Sequence, residues 1–140
     1  MTREIKFRAW QGVKENGKKS NFVRRMIDWS EISRKWSFNE FQNPKNYDRV
    51  LMQFTGLKDK NGTDIYEGDI VTIRFWHNNP PSKRPKIKYV DINLPVVFGN
   101  GSFHISDSPR IPQYGTRYGK EFEQCEIIGN VYQHPNLINQ

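Results

Sequence analysis

The stretch TGLKDKNGTDIYEGDIVTI, residues 55–73, constrains the fold more than any other part of the sequence. Its Asn-Gly step at 61–62 is the strongest short signal for a hairpin turn, because both residues tolerate the positive φ angles of a tight turn. A second turn, EGD at 67–69, stands directly before the alternating run IVTIRF at 70–75. Two tight turns so close together, each beside an alternating run, predict short antiparallel β-strands.

The apolar composition also favours β-structure. The chain has thirteen Ile and eight Val but only four Leu and a single alanine, Ala9, with nineteen aromatic residues besides. β-branched and aromatic side chains pack well on a pleated surface, whereas Ala and Leu are among the best helix formers. A length of 140 residues suits one domain with a modest core. We therefore expect one mainly β domain.

Alternating apolar runs predict strands along most of the chain. The first strands are expected at EIKFRAW (4–10), at FVRRMIDW (22–29), returning through an Asn16-Gly17 turn, and at RVLMQF (49–54). The later strands are expected at IVTIRF (70–75), IKYVDI (87–92), VVF (96–98), SFHIS (102–106) and CEIIGNVY (125–132). Pro95 is expected to break the 87–98 run at an edge or bend, and an edge strand there would make self-association of the chain possible. Gly129 is expected to mark a bulge or a close backbone approach.

Three segments lack a strand pattern. Residues 30–48 carry no apolar stripe longer than one or two turns and are expected to be irregular, with one helical turn near 37–41. HNNPPSKRPK (77–86) is expected to be an exposed loop because it contains three prolines. Residues 107–124, rich in Pro, Gly and Tyr, are expected to form a second long loop.

Charge and cysteine content indicate the setting in which the chain works. The net charge is +7, and residues 1–50 alone carry twelve bases and six acids, which favours a nucleic acid or an acidic protein as partner. One cysteine fits a reducing compartment. The charged, alternating N-terminus is unlike a signal peptide, and no apolar run approaches membrane-spanning length. We expect a cytoplasmic protein without a membrane partner.

Four acids, Asp59, Asp64, Glu67 and Asp69, fall within eleven residues. Such a cluster could belong to a metal-dependent hydrolase, but every one of these acids lies in or beside a predicted turn, where Asp favours bonds to its own backbone. We therefore expect these four acids to shape turns and not to form a hydrolase site. The three histidines have no metal-ligand spacing, and Cys125 alternates like a small core residue. No catalytic residue, metal or cofactor is expected, and the protein is not expected to be an enzyme.

The run RFWHNNPPSKRPKIKY, residues 74–89, contains five bases and no acid, with aromatic residues at both ends. Bases contact phosphates and aromatic rings stack on bases, so this segment is a candidate site for nucleic acid or another partner. The candidate residues are Arg74, Trp76, Lys83, Arg84, Lys86, Lys88 and Tyr89. The alternative is a solvated loop beside ordinary core residues.

A second candidate surface lies in the N-terminal arm. Two tryptophans, Trp29 and Trp36, occur near several bases, a pairing that protein–protein hot spots use. These bases are Arg24, Arg25, Arg34 and Lys35. Ordinary packing of the two aromatic side chains against a hairpin is the interpretation we favour.

Three segments, in order along the chain, resemble the start, centre and end of the YopX-like proteins, which are encoded by phages and prophages. They are REIKFRAW (3–10), QFTGLKDKNGTDIYEGDIV (53–71) and CEIIGNVYQHPNLI (125–138). The resemblance implies an SH3-like β-barrel in the C-terminal part, preceded by a small N-terminal β-hairpin region with little helix. It brings no established activity, cofactor or catalytic residue. The basic segments 11–25 and 77–86 depart from the family's usual pattern.

These observations lead to one expected domain, 1–140, with an N-terminal strand and hairpin arm at 1–48, the barrel at 49–134 and a tail at 135–140. We expect a phage- or prophage-type accessory protein that binds a host or phage protein whose identity the sequence does not give. The alternative is a nucleic-acid-binding module that uses residues 74–89. A hydrolase built on the four central acids is the third hypothesis.

Overall fold

The computed structural model describes residues 4–14, 22–78, 87–99, 101–105 and 124–139. Of residues 13–14, 22–23, 74–78, 87–90 and 139 it describes the backbone alone. The described chain is mainly β, as predicted. Its strands are β1 (Phe7–Lys14), β2 (Phe22–Ile27), β3 (Arg49–Lys58), β4 (Asp64–Tyr66), β5 (Asp69–Asn78), β6 (Ile87–Gly99), β7 (Ser102–Ile105) and β8 (Glu126–Asn130). Its helices are α1 (Trp29–Lys35), α2 (Phe38–Gln42) and 3₁₀ helices at Pro44–Tyr47 and Pro135–Asn139.

The described strands form two antiparallel arrays, ordered β2-β1-β3-β4 and β7-β6-β5-β8. The chain divides into two compact units, Met1–Gly56 and Leu57–Gln140. The division lies inside β3, and the boundary expected from the sequence between 48 and 49 stays a prediction. Closure into an SH3-like barrel stays a prediction.

The first unit is built on the predicted hairpin, in which β1 pairs with β2 from Ala9–Ile27 to Lys14–Phe22. The turn expected at Asn16-Gly17 lies outside the described residues. On its other side β1 pairs with β3, so that Ala9 is opposite Leu51. Ala9 and Ile27 are buried together with Ile32 of α1 and form the core of this unit.

Residues 30–48 are more helical than predicted. The helical turn expected near 37–41 is present as α2. Residues 30–35 were expected to be irregular, and this was wrong because they belong to α1. Side-chain caps start both helices: Glu31 donates its N–H to Asp28 (3.0 Å), and Glu40 donates its N–H to Ser37 Oγ (3.2 Å). The Glu40 carboxylate accepts the Ser37 N–H in return (2.7 Å), which completes a capping box. A seven-residue helix with one buried residue, Ile32, leaves too little periodicity to detect.

The second unit has its core along β5 and β6. Val71 and Ile73 of β5 are buried as the alternation predicts, and so are Leu94 and Val96 of β6. The two predicted turns are confirmed, since Gly62 and Gly68 have φ angles of +80° and +85°. The core cluster is completed by Ile65, Ile105 and Cys125.

Strand β6 runs continuously through Pro95, so the predicted interruption of the strand was wrong, but its pairing does change at this residue. The ladder with β5 ends at the Ile70–Pro95 pair, and the ladder with β7 begins at the Val96–Ile105 pair. β6 therefore lies between β5 and β7 in the strand order, and it pairs with β5 up to Pro95 and with β7 from Val96. Proline fits at this point because it has no N–H to donate, and it lies where one ladder gives way to the next.

Gly129 has both features expected of it. β5 pairs at Ile70–Gly129 and Val71–Ile127, so Ile128 is the extra residue of a β-bulge. A Cβ atom on Gly129 would lie 2.7 Å from His134 Nδ1 and 3.0 Å from Leu137 Cδ1. Only glycine leaves room for the chain that follows β8.

Residues 135–140, expected to be a tail, contain a 3₁₀ helix over Pro135–Asn139. Asn93 of β6 donates its side-chain amide to the carbonyl of Leu137 (3.1 Å). The same Asn93 accepts a hydrogen bond from the Thr72 hydroxyl of β5 (2.7 Å). The C-terminal residues are thus bonded to the central strand pair of their unit.

Replacing Gly129 by Ala should destabilise the protein by about 1–3 kcal/mol, because the new methyl group displaces the His134 ring from its bond with the Asn130 N–H. Urea unfolding followed by tryptophan fluorescence measures this. Combining Gly129→Ala with His134→Ala should cost less than the sum of the two single changes. Wild-type stability for Gly129→Ala alone would show that the close approach is unimportant.

Candidate functional site

The central acids are bound into the structure, and Asp59 is the clearest case. Its buried carboxylate accepts the N–H groups of Asn61 and Thr63 at 2.9 Å on one oxygen, and that of Ile127 at 3.1 Å on the other. Two of these donors belong to its own turn, and the third belongs to β8. Asp59 therefore shapes the turn and also fixes the position of a distant strand.

The protonation of Asp59 follows from these contacts. Burial acts to raise the pKa of the carboxyl, but the backbone N–H groups of Ile127, Thr63 and Asn61 stabilise the carboxylate and leave the pKa below its ordinary value. A carboxylate held in this way is an acceptor for fixed donors. It is poorly suited to exchange protons with a substrate.

The other central acids also have local contacts. Asp69 is buried and accepts the N–H of Tyr66 at 2.8 Å, across the turn at Gly68. Asp64 lies 2.7 Å from the ammonium group of Lys58 on the neighbouring strand. For Asp59 and Asp69 the turn chemistry expected from the sequence is confirmed. Over the described part of the chain, no group of three or more His, Cys, Asp or Glu side chains could hold a metal ion.

Cys125 and His104 are buried in the second unit. Burial, with a smaller contribution from Asp59 and Asp69, raises the pKa of the Cys125 thiol to about 12, so the residue behaves as a core side chain. His104 Nε2 lies 2.8 Å from the carbonyl of Gly99, at the β6–β7 turn. The burial and the raised pKa of Cys125 agree with its interpretation as a structural residue.

The basic segment 74–89 is described only in part. Lys83, Arg84 and Lys86 lie outside the described residues, and so do 79–86 of the loop predicted at 77–86. Residues 77 and 78 of that predicted loop belong to β5. The backbone register of β5 and β6 places Trp76 opposite Tyr89, His77 opposite Lys88 and Arg74 opposite Asp91. The loop expected at 107–124 also lies outside the described residues, except for Gln124.

The bases of the N-terminal arm make contacts inside their own unit. Arg25 forms two hydrogen bonds with the Glu31 carboxylate, at 2.9 and 3.2 Å, and this bonding holds the pKa of Glu31 below its ordinary value. Arg24 lies 3.3 Å from the carboxylate of Asp48. Arg34 donates its Nε–H to the carbonyl of Ser30 at 3.0 Å. Exposed pairs of this kind contribute little to stability.

Aromatic side chains cover the sheet of the first unit. The rings of Phe7, Trp29 and Phe41 pack against one another with centroids 5.0 to 6.3 Å apart. The Arg49 guanidinium lies 3.9 Å from the ring centroid of Trp36 and 5.1 Å from that of Tyr47. Arg49 also approaches the Glu40 carboxylate at 3.4 Å. The packing favoured for the tryptophans in the sequence analysis is therefore present, with an arginine as part of it.

An open pocket of about 310 Å³ lies beside these packed rings, on α1 and α2. The side chain of Phe38, at the start of α2, is 77% exposed. The pocket is lined by Trp29, Ile32, Ser33, Trp36, Ser37, Phe38 and Phe41. Trp29 and Trp36 were predicted from the sequence as part of a candidate surface, whereas Phe38 and Phe41 were not. The available signal was the spacing of aromatic residues around the Ser37-x-x-Glu40 capping box, which brings two short helices together.

These features define a small, mainly β protein with short capped helices on its N-terminal sheet. The chain belongs to the YopX family: the family model described as YopX protein matches residues 6–139. Among solved structures, it is similar to the crystal structure of protein EF1440 from Enterococcus faecalis, with 18% sequence identity and a TM-score of 0.48. That match covers 98% of this chain and 99% of the other. None of the curated proteins matches this chain. Within the described residues, no helix is long and apolar enough to cross a membrane.

Replacing Asp59 by Asn should destabilise the protein by about 1–3 kcal/mol, because one carboxylate oxygen becomes an NH₂ group that faces a buried N–H donor. Since the pKa of Asp59 is lowered on folding, its contribution is fully present above the ordinary carboxyl value of about 3.9 and is lost as the pH falls through the folded value. The stability gap between wild type and Asp59→Asn, measured by urea unfolding, should therefore narrow below about pH 4.

Asp64→Asn is the matched control, because it changes an acid of the same segment that pairs with an exposed lysine. Its cost should stay below about 1 kcal/mol at neutral pH. Equal costs for the two variants would contradict the special position of Asp59.

Proposed function

We propose that this protein works by binding another protein, and that the pocket on α1 and α2 is the binding surface. The observation that carries the proposal is the exposure of Phe38 beside a pocket lined by three further aromatic side chains. A single exposed apolar residue is common, but an aromatic cluster with an open cavity is typical of binding surfaces. Tryptophan-rich patches are also where binding energy concentrates.

The size and support of the pocket suit a short docking segment. A volume of about 310 Å³ accommodates one or two large side chains of a partner rather than a whole helix. The Trp36 ring is contacted by the Arg49 guanidinium, and the Trp29 ring packs against Phe7 and Phe41. Aromatic side chains fixed in this way lose little freedom when a ligand arrives, which favours affinity.

We propose binding rather than catalysis because the best candidates for catalytic groups have other tasks. Asp59 and Asp69 accept backbone N–H groups, and the Cys125 thiol is buried with a pKa of about 12. As a member of the YopX family, the protein is proposed, by analogy alone, to be a phage- or prophage-type accessory protein that acts on a host or phage protein in the bacterial cytoplasm.

Nucleic-acid binding by residues 74–89 is the second candidate. The observation that favours it is the register of the antiparallel β5–β6 pair, in which Trp76 lies opposite Tyr89. A two-stranded ribbon that has aromatic residues opposite each other, and a basic segment joining its strands, suits the binding of single-stranded nucleic acid. Asp91, opposite Arg74, weakens the positive character of the ribbon at its other end.

The first test compares what the wild-type protein and a Phe38→Ser variant capture from bacterial lysate, measured by quantitative mass spectrometry. A protein partner that uses the pocket should be captured at least about tenfold less by Phe38→Ser, because a central aromatic contact is lost. Unfolding by heat should be nearly the same for both proteins, since the Phe38 side chain is mostly exposed.

Phe98→Ser is the matched control, because Phe98 is a 53% exposed phenylalanine on the other unit. It should capture the same partner as wild type. If no captured protein distinguishes Phe38→Ser from both wild type and Phe98→Ser, the pocket is not a protein-binding surface.

The second candidate is tested by the anisotropy of labelled single-stranded DNA and RNA over a range of salt concentrations. If residues 74–89 bind phosphates, Lys83→Glu with Arg84→Glu should weaken binding and reduce the slope of log affinity against log salt by about 1.4, since two phosphate contacts are lost. Lys58→Glu with Lys60→Glu is the charge-matched control. An unchanged slope, or no binding at low salt, would exclude this candidate.

A further inference from the structure

Positive charge is concentrated in the unit that carries the pocket. Residues 1–56 contain twelve bases and six acids, a net charge of +6, whereas residues 57–140 contain ten bases and nine acids, a net charge of +1. Six of the seven net positive charges therefore belong to one unit. A field of one sign attracts ligands of the opposite sign and raises their rate of association.

The acids of the first unit are already engaged within it. Asp28 caps α1 by accepting the Glu31 N–H, and Glu31 itself is bound by Arg25. Glu40 accepts the Ser37 N–H at 2.7 Å. The remaining acids among the described residues, Glu4 and Asp48, lie within 3.4 Å of Lys6 and Arg24. These carboxylates are engaged within the unit, and the sequence of the unit still carries a net charge of +6.

Two of the bases belong to the same short helix as the pocket. The last turn of α1 carries Arg34 and Lys35, which stand between the pocket-lining Ser33 and Trp36 in sequence but do not themselves line the pocket. Both bases are exposed, and Lys35 lies 3.7 Å from a Glu31 carboxylate that Arg25 already binds more closely. The turn beside the apolar pocket thus presents cations at its surface.

We infer that the pocket binds an acidic peptide segment that inserts one bulky apolar side chain between the rings and places its carboxylates near Arg34 and Lys35. This inference rests on the proposed protein-binding function and adds the chemistry of the partner. The apolar side chain supplies affinity in the pocket. The carboxylates select acidic partners over neutral or basic ones and accelerate their association.

The test is selection from a phage-displayed library of random dodecapeptides on the full-length wild-type protein, with the Phe38→Ser variant used to remove peptides that bind elsewhere. Enriched peptides should combine an aromatic residue or Leu with several Asp or Glu. A synthetic fluorescein-labelled copy of the most enriched peptide then serves as the probe for fluorescence anisotropy. Its affinity should fall at least about tenfold for Phe38→Ser.

Charge is tested on both sides of the contact. Arg34→Gln with Lys35→Gln should weaken binding of the probe about three- to tenfold at low salt, and the loss should shrink in high salt because exposed charges are screened. Lys58→Gln with Lys60→Gln removes the same charge from the other unit and should change affinity less than about twofold. Replacing the Asp and Glu of the probe by Asn and Gln should reproduce the loss on wild type.

The outcomes separate the inference from the function on which it rests. If the enriched peptides depend on Phe38 but are neutral or basic, the inference of an acidic partner is wrong and the proposed protein-binding function still stands. If no selected peptide depends on Phe38, and Phe38→Ser captures the same proteins from lysate as wild type, then both the inference and the proposed protein-binding function are wrong. A concentration-dependent dimer in sedimentation velocity that Phe38→Ser abolishes would assign the pocket to a second copy of the chain. Phe38-dependent binding of labelled DNA would assign it to nucleic acid, and either result would overturn the inference.

Discussion

The Asp59 carboxylate joins two parts of the chain that are far apart in sequence. It closes the turn that follows β3 and, through the N–H of Ile127, holds β8 from a distance of 68 residues along the chain. A second bond between the same segments, from the Lys60 N–H to the Cys125 carbonyl at 3.0 Å, aligns them. Because backbone donors in a buried place require an acceptor, the charge on Asp59 is part of the fold. This explains why an acid-rich segment serves as scaffold.

The first unit obtains its rigidity in a different way. Helices of seven and five residues are too short to be stable alone, so α1 and α2 depend on their caps and on aromatic packing against the sheet. Arg49 contributes through its contacts with Trp36, Tyr47 and Glu40. The rings that stabilise the helices also form the wall of the pocket. Stability and the proposed binding therefore draw on the same side chains.

Local chemistry made much of the second unit predictable. Positive φ angles at Gly62 and Gly68 and the alternation along β5 follow from residues close together in sequence, and the lone glycine at 129 marked the bulge in β8. The misses depend on contacts between distant residues. Pro95 marked an edge or bend in β6, but the continuation of the strand with a new pairing partner depends on β7, and α1 depends on the burial of Ile32 against the sheet. The pocket escaped prediction because it requires both helices to be in place.

The burial of Cys125 has a practical consequence for measuring motion. With a pKa of about 12, only about one thiol in ten thousand is ionised at pH 8, and the sulfur is enclosed in the core. Alkylating dyes and spin labels react with accessible thiolates, so the native chain behaves as if it lacked cysteine. A cysteine introduced at any exposed position would be the sole reactive thiol. Pairs of such positions, one in each unit, would allow distances between the two halves to be measured without disturbing the core.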